Sequence, residues 1–274
     1  MTSEKTIIRA GEIEKRYWRD LWRYRELFYF LAWRDILVRY KQTSVGIIWA
    51  LIRPLASIII FSGVFGRIAK LDSGGVPYPI LVCVAQLPWQ LFASALSESG
   101  GSLVANSNLI SKIYFPRLVI PASALITSLV DFLISLIILV VLMAWYRFVP
   151  DGKILLLPLF VLLALLAVMG AGVWLSALTV KYRDFRIIVP FILQFGQLLS
   201  PIGYSSDQIP AKWRLVYSLN PMVGVIDGFR WAILGGMHQL YLPGFILSLF
   251  LVVFTLITGI QYFRKTERSF ADII

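Results

Sequence analysis

Residues 118–145 read LVIPASALITSLVDFLISLIILVVLMAW, 28 positions with one charge, Asp131. At about 1.5 Å rise per residue such a helix is roughly 42 Å long, against a hydrocarbon core of about 30 Å, so it crosses a bilayer and must tilt or protrude. That settles the class of fold. Working outward, further apolar runs lie at 46–68, 76–96, 154–180, 187–204 and 240–263. The expected fold is all-α: a polytopic membrane protein with six transmembrane helices. Trp49, Trp145 and Tyr146 fall near expected span ends, where amphipathic rings favour the headgroup level.

The composition agrees, with 58% hydrophobic residues and a mean hydropathy of +0.77. The spans fill most of the 274 residues beyond Val45 and leave no room for a separate catalytic module. A net charge of +11 invites a nucleic-acid reading, but ten of the 26 Lys and Arg residues precede Val45 and most others sit in short loops. Charge placed this way encodes topology. Six crossings put both ends on one side; with Arg53 set apart as intramembrane, that side carries 18 Lys and Arg and the other 7, so both termini are expected in the cytoplasm. The charged N-terminal arm shows no signal-peptide pattern, and the first span is expected to direct insertion.

Immediately before the 118–145 run stands a compact polar and basic stretch, Asn106-Ser107-Asn108-Leu109-Ile110-Ser111-Lys112-Ile113-Tyr114-Phe115-Pro116-Arg117. Too short for a domain, it has the character of a cytoplasmic docking elbow. Upstream, 19–41 lacks proline and glycine and is expected to form a long helix. Arg19, Arg23, Glu26, Arg34 and Lys41 share a sector of its helical wheel, although Phe30 and Leu37 point the same way. Such a helix is either a basic anchor that holds topology or a surface helix within a partner-binding site. Downstream, Pro201, Gly203, Pro210, Pro221, Gly224, Gly228, Gly235 and Gly236 break 201–238 into pieces of one to three turns. Two short helices joined by a turn fit this pattern, either as the outer gate of a pathway or as a structured external loop.

Asp131 is too deep and too short to reach water, and an uncompensated charge there costs at least about 3 kcal/mol, so a basic or hydroxyl partner is expected, with Arg53 one candidate. Arg53 itself lies about two turns from the cytoplasmic end and either snorkels or meets substrate. No G-x-x-x-x-G-K-[S/T] loop and no paired carboxylates for Mg²⁺ are present, so any ATP is handled by a partner. The lone His238, the lone Cys83 and the absence of G-x-S-x-G argue against metal, redox and hydrolase chemistry, so the chain is expected not to be an enzyme. The aromatics Trp89, Phe92, Phe132, Trp174, Phe191, Phe195 and Tyr204 lie in or beside spans. Most are expected to face lipid or pack, while a subset facing a shared cavity would stack on sugar rings.

Taken in order, several motifs resemble the permease subunit of type 2 ABC exporters of polysaccharides, the O-antigen, capsule and teichoic-acid branch. They are Leu31 to Gly46 (LAWRDILVRYKQTSVG) with Trp49 and Pro54, the Ser107 to Pro121 stretch, Lys181-Tyr182-Arg183-Asp184-Phe185, Ser200-Pro201-Ile202-Gly203-Tyr204, and Leu219-Asn220-Pro221 followed by Gly228-Phe229-Arg230. The resemblance covers nearly the whole chain. It implies a homodimer carrying two copies of an ABC ATPase subunit, with ATP and Mg in that subunit and no cofactor in this chain. It further implies a cytoplasmic arm at 1–45 holding an amphipathic interface helix, a six-span domain at 46–263 and a cytoplasmic tail at 264–274. Within the domain, 100–117 would be the coupling helix and 201–238 the outer gate.

On this resemblance Asn106, Asn108, Lys112, Tyr114, Phe115, Pro116, Arg117, Lys181, Arg183 and Asp184 would meet the ATPase. The polyprenyl-diphosphate of a lipid-linked polysaccharide would meet Arg34, Arg39 and Lys41. Trp49, Arg53, Trp89, Phe92, Asp131, Phe132, Trp174, Phe195 and Tyr204 would line the pathway. Pro201, Pro210, Asn220, Pro221 and Arg230 would form the gate. The expected location is a bacterial inner membrane, with no nucleic acid among the partners. Rival expectations are a type 2 exporter of a drug or small lipid, a membrane-embedded glycosyl or acyl transferase, and a non-transporting scaffold subunit.

Overall fold

The computed structural model describes residues 17–41, 46–235 and 238–270, and among these the regular structure is all helical. Two helices precede the apolar region, α1 (Tyr17–Arg23) and α2 (Arg25–Lys41). They run on as nearly one rod, because Tyr24 donates to Asp20 and accepts from Phe28 across the junction. Their exposed side mixes Arg19, Arg23 and Arg25 with Trp18, Trp22, Tyr29, Phe30 and Trp33, so aromatics interrupt the expected basic sector.

The first apolar segment is α3 (Gly46–Phe61), which continues as a π-helical stretch over Ser62–Ile68. It is followed by α4 (Tyr78–Ala105), a six-residue α5 (Ser107–Lys112), α6 (Val119–Trp145) and α7 (Leu157–Lys181). Then come α8 (Phe185–Leu199), the short α9 (Ala211–Tyr217), α10 (Pro221–Leu234) and α11 (Leu242–Thr266). Among the described residues, five helical segments are long and apolar enough to cross a bilayer: Ala50–Ile68, Tyr78–Ala105, Val119–Trp145, Gly152–Lys181 and Leu242–Thr266. The run expected as the fifth of six spans, 187–204, is instead the 15-residue α8, about 22 Å long. It stops at Ser200, whose extended ψ of 153° is the conformation a residue preceding proline prefers.

Helix α4 is the centre of the molecule. Its residues Ile80 to Trp89 are all buried, enclosed by α6, α7, α10 and α3, as suits a helix that is apolar on every side. Where helices approach closest they present small residues: Gly172 against Ser99, Gly100 against Leu175, and Gly170 against the backbone of Thr255 and Leu256 on α11. Without a hydrophobic drive between helices in lipid, such close backbone contact supplies much of the association. Several serines and threonines inside the spans return their hydroxyls to carbonyls three or four residues back, as at Ser102, Ser123, Ser176 and Thr179, whereas the buried hydroxyls of Ser99 and Thr127 make no such bond. Helix α10 is buried over 11 of its 14 residues although it is too short to span.

A second core at one end gathers Tyr17, Leu31, Leu103, Phe115, Leu118, Val180, Phe263 and Phe270. It therefore brings together α1, the ends of α4, α7 and α11, and the elbow before α6.

Candidate functional site

The C-terminal turn of α2 packs beside α6 and delivers Arg39 and Tyr40 to a polar pocket inside the bundle. Arg39 Nη2 lies 2.5 Å from Glu98 on α4, and its Nη1 lies 2.9 Å from Asp131 on α6. The Tyr40 hydroxyl donates to the other oxygen of Asp131, and Ser128 donates to Glu98 at 3.1 Å. Asp131 thus has the basic and hydroxyl partners its depth requires, but they are Arg39 and Tyr40 in place of Arg53. Burial and the Asp131 carboxylate push the Tyr40 phenol well above its usual pKa, which keeps it a donor. A cavity of about 330 Å³ opens beside this cluster, lined among others by Arg39, Arg53, Gln90, Ser94, Asp131 and Phe132.

The elbow is a separate construction. Only 107–112 forms a distinct helix; 100–105 continues α4, Asn106 is the hinge, and Ile113 is extended. Three elements hold it. Arg34 on α2 reaches Asn106 Oδ1 at 2.9 Å while pairing with Asp35, and Tyr24 donates to the Tyr114 carbonyl at 3.2 Å. From the C-terminal end, Glu267 accepts the Arg117 backbone N–H at 2.6 Å, and the Arg117 guanidinium donates back to the Glu267 carbonyl and lies 5.9 Å from the Phe270 ring. Asn108, Ser111, Lys112, Ile113 and Tyr114 face outward.

Phe115 and Pro116 do not belong to that outward face. Phe115 is 3% exposed within the second core, because the chain must turn its largest apolar side chain inward to seat the start of α6. Lys181, Arg183 and Asp184 are exposed at the end of α7, at the same end of the bundle as the elbow.

At the other end, Arg230 on α10 is 1% exposed and donates to the carbonyls of Tyr204 at 2.8 Å and Ile202 at 3.2 Å, pinning the turn that begins at Pro201. Tyr78 donates to the Gly203 carbonyl of the same turn. Asn220 caps α10 by accepting from the Met222 N–H at 3.0 Å, and its amide donates to Ser200 at 3.0 Å. Pro221 supplies the first turn, where a missing N–H costs nothing. Pro210 is exposed ahead of α9. Beside Arg230, Asp227 accepts from Ser206 at 2.6 Å, and burial pushes its carboxyl up to about 6. His238 lies 3.8 Å from Asp207, while burial, with Arg230 nearby, lowers its pKa.

Of the expected pathway residues, Arg53, Asp131 and Phe132 line the cavity together, while Trp89, Phe92, Trp174, Phe195 and Tyr204 lie elsewhere. Trp89 and Phe132 are packed in the main core, Phe132 edge-on to Phe229 and also bordering the cavity; Phe92 packs against Trp89. Trp174 meets Tyr262 on α11, Phe195 stacks obliquely on Phe191 along the exposed side of α8, and Tyr204 shares a 2.9 Å hydrogen bond with Tyr217. The Trp49 side chain lies outside the described residues. Of the three cations expected at a diphosphate, Arg34 and Arg39 are committed to partners within the chain and Lys41 is exposed. Tyr40, Gln90, Asp227 and Glu267 were not legible as site residues; for Tyr40 the one signal was its position next to Arg39.

These features define an α-helical, polytopic membrane protein with a polar cavity among its spans and a clasped elbow at one end. The chain belongs to the ABC-2 type transporter family, whose model matches residues 26–234. It is 28% identical over 257 residues to an O-antigen export system permease protein of Klebsiella pneumoniae, covering 91% of this chain and 95% of that one. A Myxococcus xanthus protein of the same description is 28% identical over 215 residues, 77% and 82% of the two chains. A polysialic acid transport protein of Escherichia coli is 25% identical over 242 residues, 86% and 92%. The chain is thus a membrane permease of an ABC transporter family linked to polysaccharide export.

Proposed function

We propose that this chain is the membrane subunit of an exporter that moves a lipid-linked, O-antigen-like polysaccharide across a bacterial inner membrane, driven by a separate ATPase subunit. The observation that carries this reading is the elbow, whose outward face of Asn108, Ser111, Lys112, Ile113 and Tyr114 is anchored to α2, α4 and the end of α11. A surface held from several helices passes a push into all of them. The relatives' polysaccharide cargo supports the choice of substrate.

In operation, two copies of the chain sit on two ATPase subunits, and closure of the ATPases on ATP drives the elbow and the Lys181 to Asp184 turn. Because the elbow continues α4 and leads into α6, the push tilts the two helices that flank the polar cavity. The lipid diphosphate approaches near Lys41 at the end of α2. The Pro201 turn, held by Arg230 and Asn220, gives way at the far end as a gate.

The test is co-expression with ABC ATPase subunits from the same organism, purification through a tag on the permease, and measurement of ATP hydrolysis. A stable, hydrolysing complex of two permeases and two ATPases is the expected result. A permease that purifies alone from cells containing folded ATPase overturns the reading.

A further inference from the structure

Helix α2 is fastened at two depths. Near its middle, Arg34 reaches the Asn106 side chain, at the hinge between α4 and the elbow, at 2.9 Å. Five residues on, about 7.5 Å further along the helix, Arg39 reaches Glu98 on α4 at 2.5 Å and Asp131 on α6 at 2.9 Å. Glu98 lies eight residues before Asn106, about 12 Å of helix, so the two arginines splint the last two turns of α4. Tyr40 adds a hydrogen bond to Asp131, and Ser128 on α6 donates to Glu98 at 3.1 Å, which joins three helices in one polar cluster.

Such a cluster adds little to net stability. A guanidinium and two carboxylates give up hydration in a half-buried setting, and that loss offsets most of their attraction. What it does fix is position. A guanidinium is a planar fork that meets two carboxylates in set directions, whereas an ammonium is a point charge that serves one of them. Glu98 and Asp131 stand on the two helices that the elbow joins, and Asp131 borders the polar cavity. Helix α2 packs beside α6 and leads on to α3, whose Ala50 and Arg53 line the same cavity. Arg39 therefore stands between the elbow, which receives a push, and the walls that would have to move.

We propose that Arg39 is a positioning residue for transport: by holding Glu98 and Asp131 together at the end of α2, it makes the elbow, α2 and the cavity wall move as one piece, so that a push at the elbow changes the shape of the cavity. The proposal rests on the exporter reading and names the part that carries the elbow's motion inward.

The permease–ATPase complex carries Ser94→Cys as a cavity-lining reporter and is set in nanodiscs; the native Cys83 is buried. A small thiol reagent is applied with and without a non-hydrolysable ATP analogue, which should change the labelling rate of the parent several-fold. Two variants are compared with it. Arg39→Lys keeps the charge but cannot bridge both carboxylates, and the neutral triple Arg39→Met, Glu98→Gln, Asp131→Asn removes the cluster without stranding a buried charge. Both should assemble, melt close to the parent and hydrolyse ATP. Their labelling response to nucleotide should nearly vanish, and polysaccharide export in cells should drop by about tenfold, the worth of one charge-assisted hydrogen bond.

A triple variant that responds and exports like the parent shows that the charges need only cancel and overturns the proposal, as does a parent whose cavity ignores nucleotide. If both variants melt far below the parent or fail to capture the ATPase, Arg39 holds the fold instead, and the proposal fails too. A parent complex that responds to nucleotide yet exports no polysaccharide refutes the exporter reading alone, and the labelling of the variants still decides the role of Arg39.

Discussion

Gly170→Ala tests the seam between α7 and α11, through which the C-terminal clasp on the elbow is tied to the rest of the bundle. A Cβ at Gly170 would lie 2.6 Å from the Leu256 backbone nitrogen and 2.8 Å from both Leu256 Cα and Thr255 C. Carbon contacts settle near 3.5 to 4.0 Å, so the two helices must part by about 1 Å, and a gap of that size forfeits roughly a quarter to a half of each dispersion contact along the seam. The obstacle is backbone and cannot swing aside. The cost therefore falls at the upper end of the usual overpacking range, about 3 kcal/mol. For a protein of this size that corresponds to a melting point lower by about 5 to 10 °C.

The assay is thermal unfolding of the purified permease in detergent, with Gly101→Ala as control. Gly101 lies in α4 with nothing within 4 Å of its would-be Cβ, so alanine there should be neutral or stabilising by up to about 1 kcal/mol. Gly259→Ala should resemble Gly170→Ala, since its Cβ would strike the Gly170 carbonyl oxygen. The double variant should cost less than the two singles added, because helices already parted accept the second methyl more easily. A Gly170→Ala protein that melts with the parent refutes the close-approach argument.

Three further outcomes are expected. Phe115→Ala opens a hole in the second core and should cost about 3 to 5 kcal/mol, seen as a loss of monodisperse protein, whereas Tyr114→Ala on the outward face should keep the yield and weaken ATPase capture; equal yields would show Phe115 to be outside the core. Glu267→Ala removes the acceptor for the Arg117 N–H in a half-buried setting, about 1 to 2 kcal/mol, and should speed tryptic cleavage at Lys112 and Arg117, with Glu267→Gln largely restoring protection; unchanged cleavage would mean that the clasp does not hold the elbow. Asp227 has its folded-state pKa raised to about 6, so its stabilising contribution is complete below the ordinary carboxylate value near 4 and is lost as pH rises through 6. Asp227→Asn should therefore raise the melting temperature at pH 8 and have little effect at pH 4, and the same shift at both values would refute the burial effect.

The spans, the elbow and the need for a partner at Asp131 were legible in the amino-acid sequence, because each is a property of a short stretch. A bilayer demands about 20 consecutive apolar residues, a polar stretch between two such runs has to lie outside the membrane, and an acidic residue mid-span has to be compensated. Helix breakers also marked the pieces between Pro201 and Gly235. The identity of Asp131's partner depended on α2 packing beside α6, which sets Arg39 against a residue 92 positions later. The inward turn of Phe115 depended on Tyr17, Phe263 and Phe270 arriving from both ends of the chain. The run at 187–204 ends early at Ser200-Pro201, and the turn that follows is held by Arg230 and Tyr78, which come from other parts of the chain. Hydrophobicity along a chain records how much of it lipid will accept, and this the sequence determined by itself. Which side chains meet is decided by the crossing of helices far apart in that chain, and only the tertiary structure decided that.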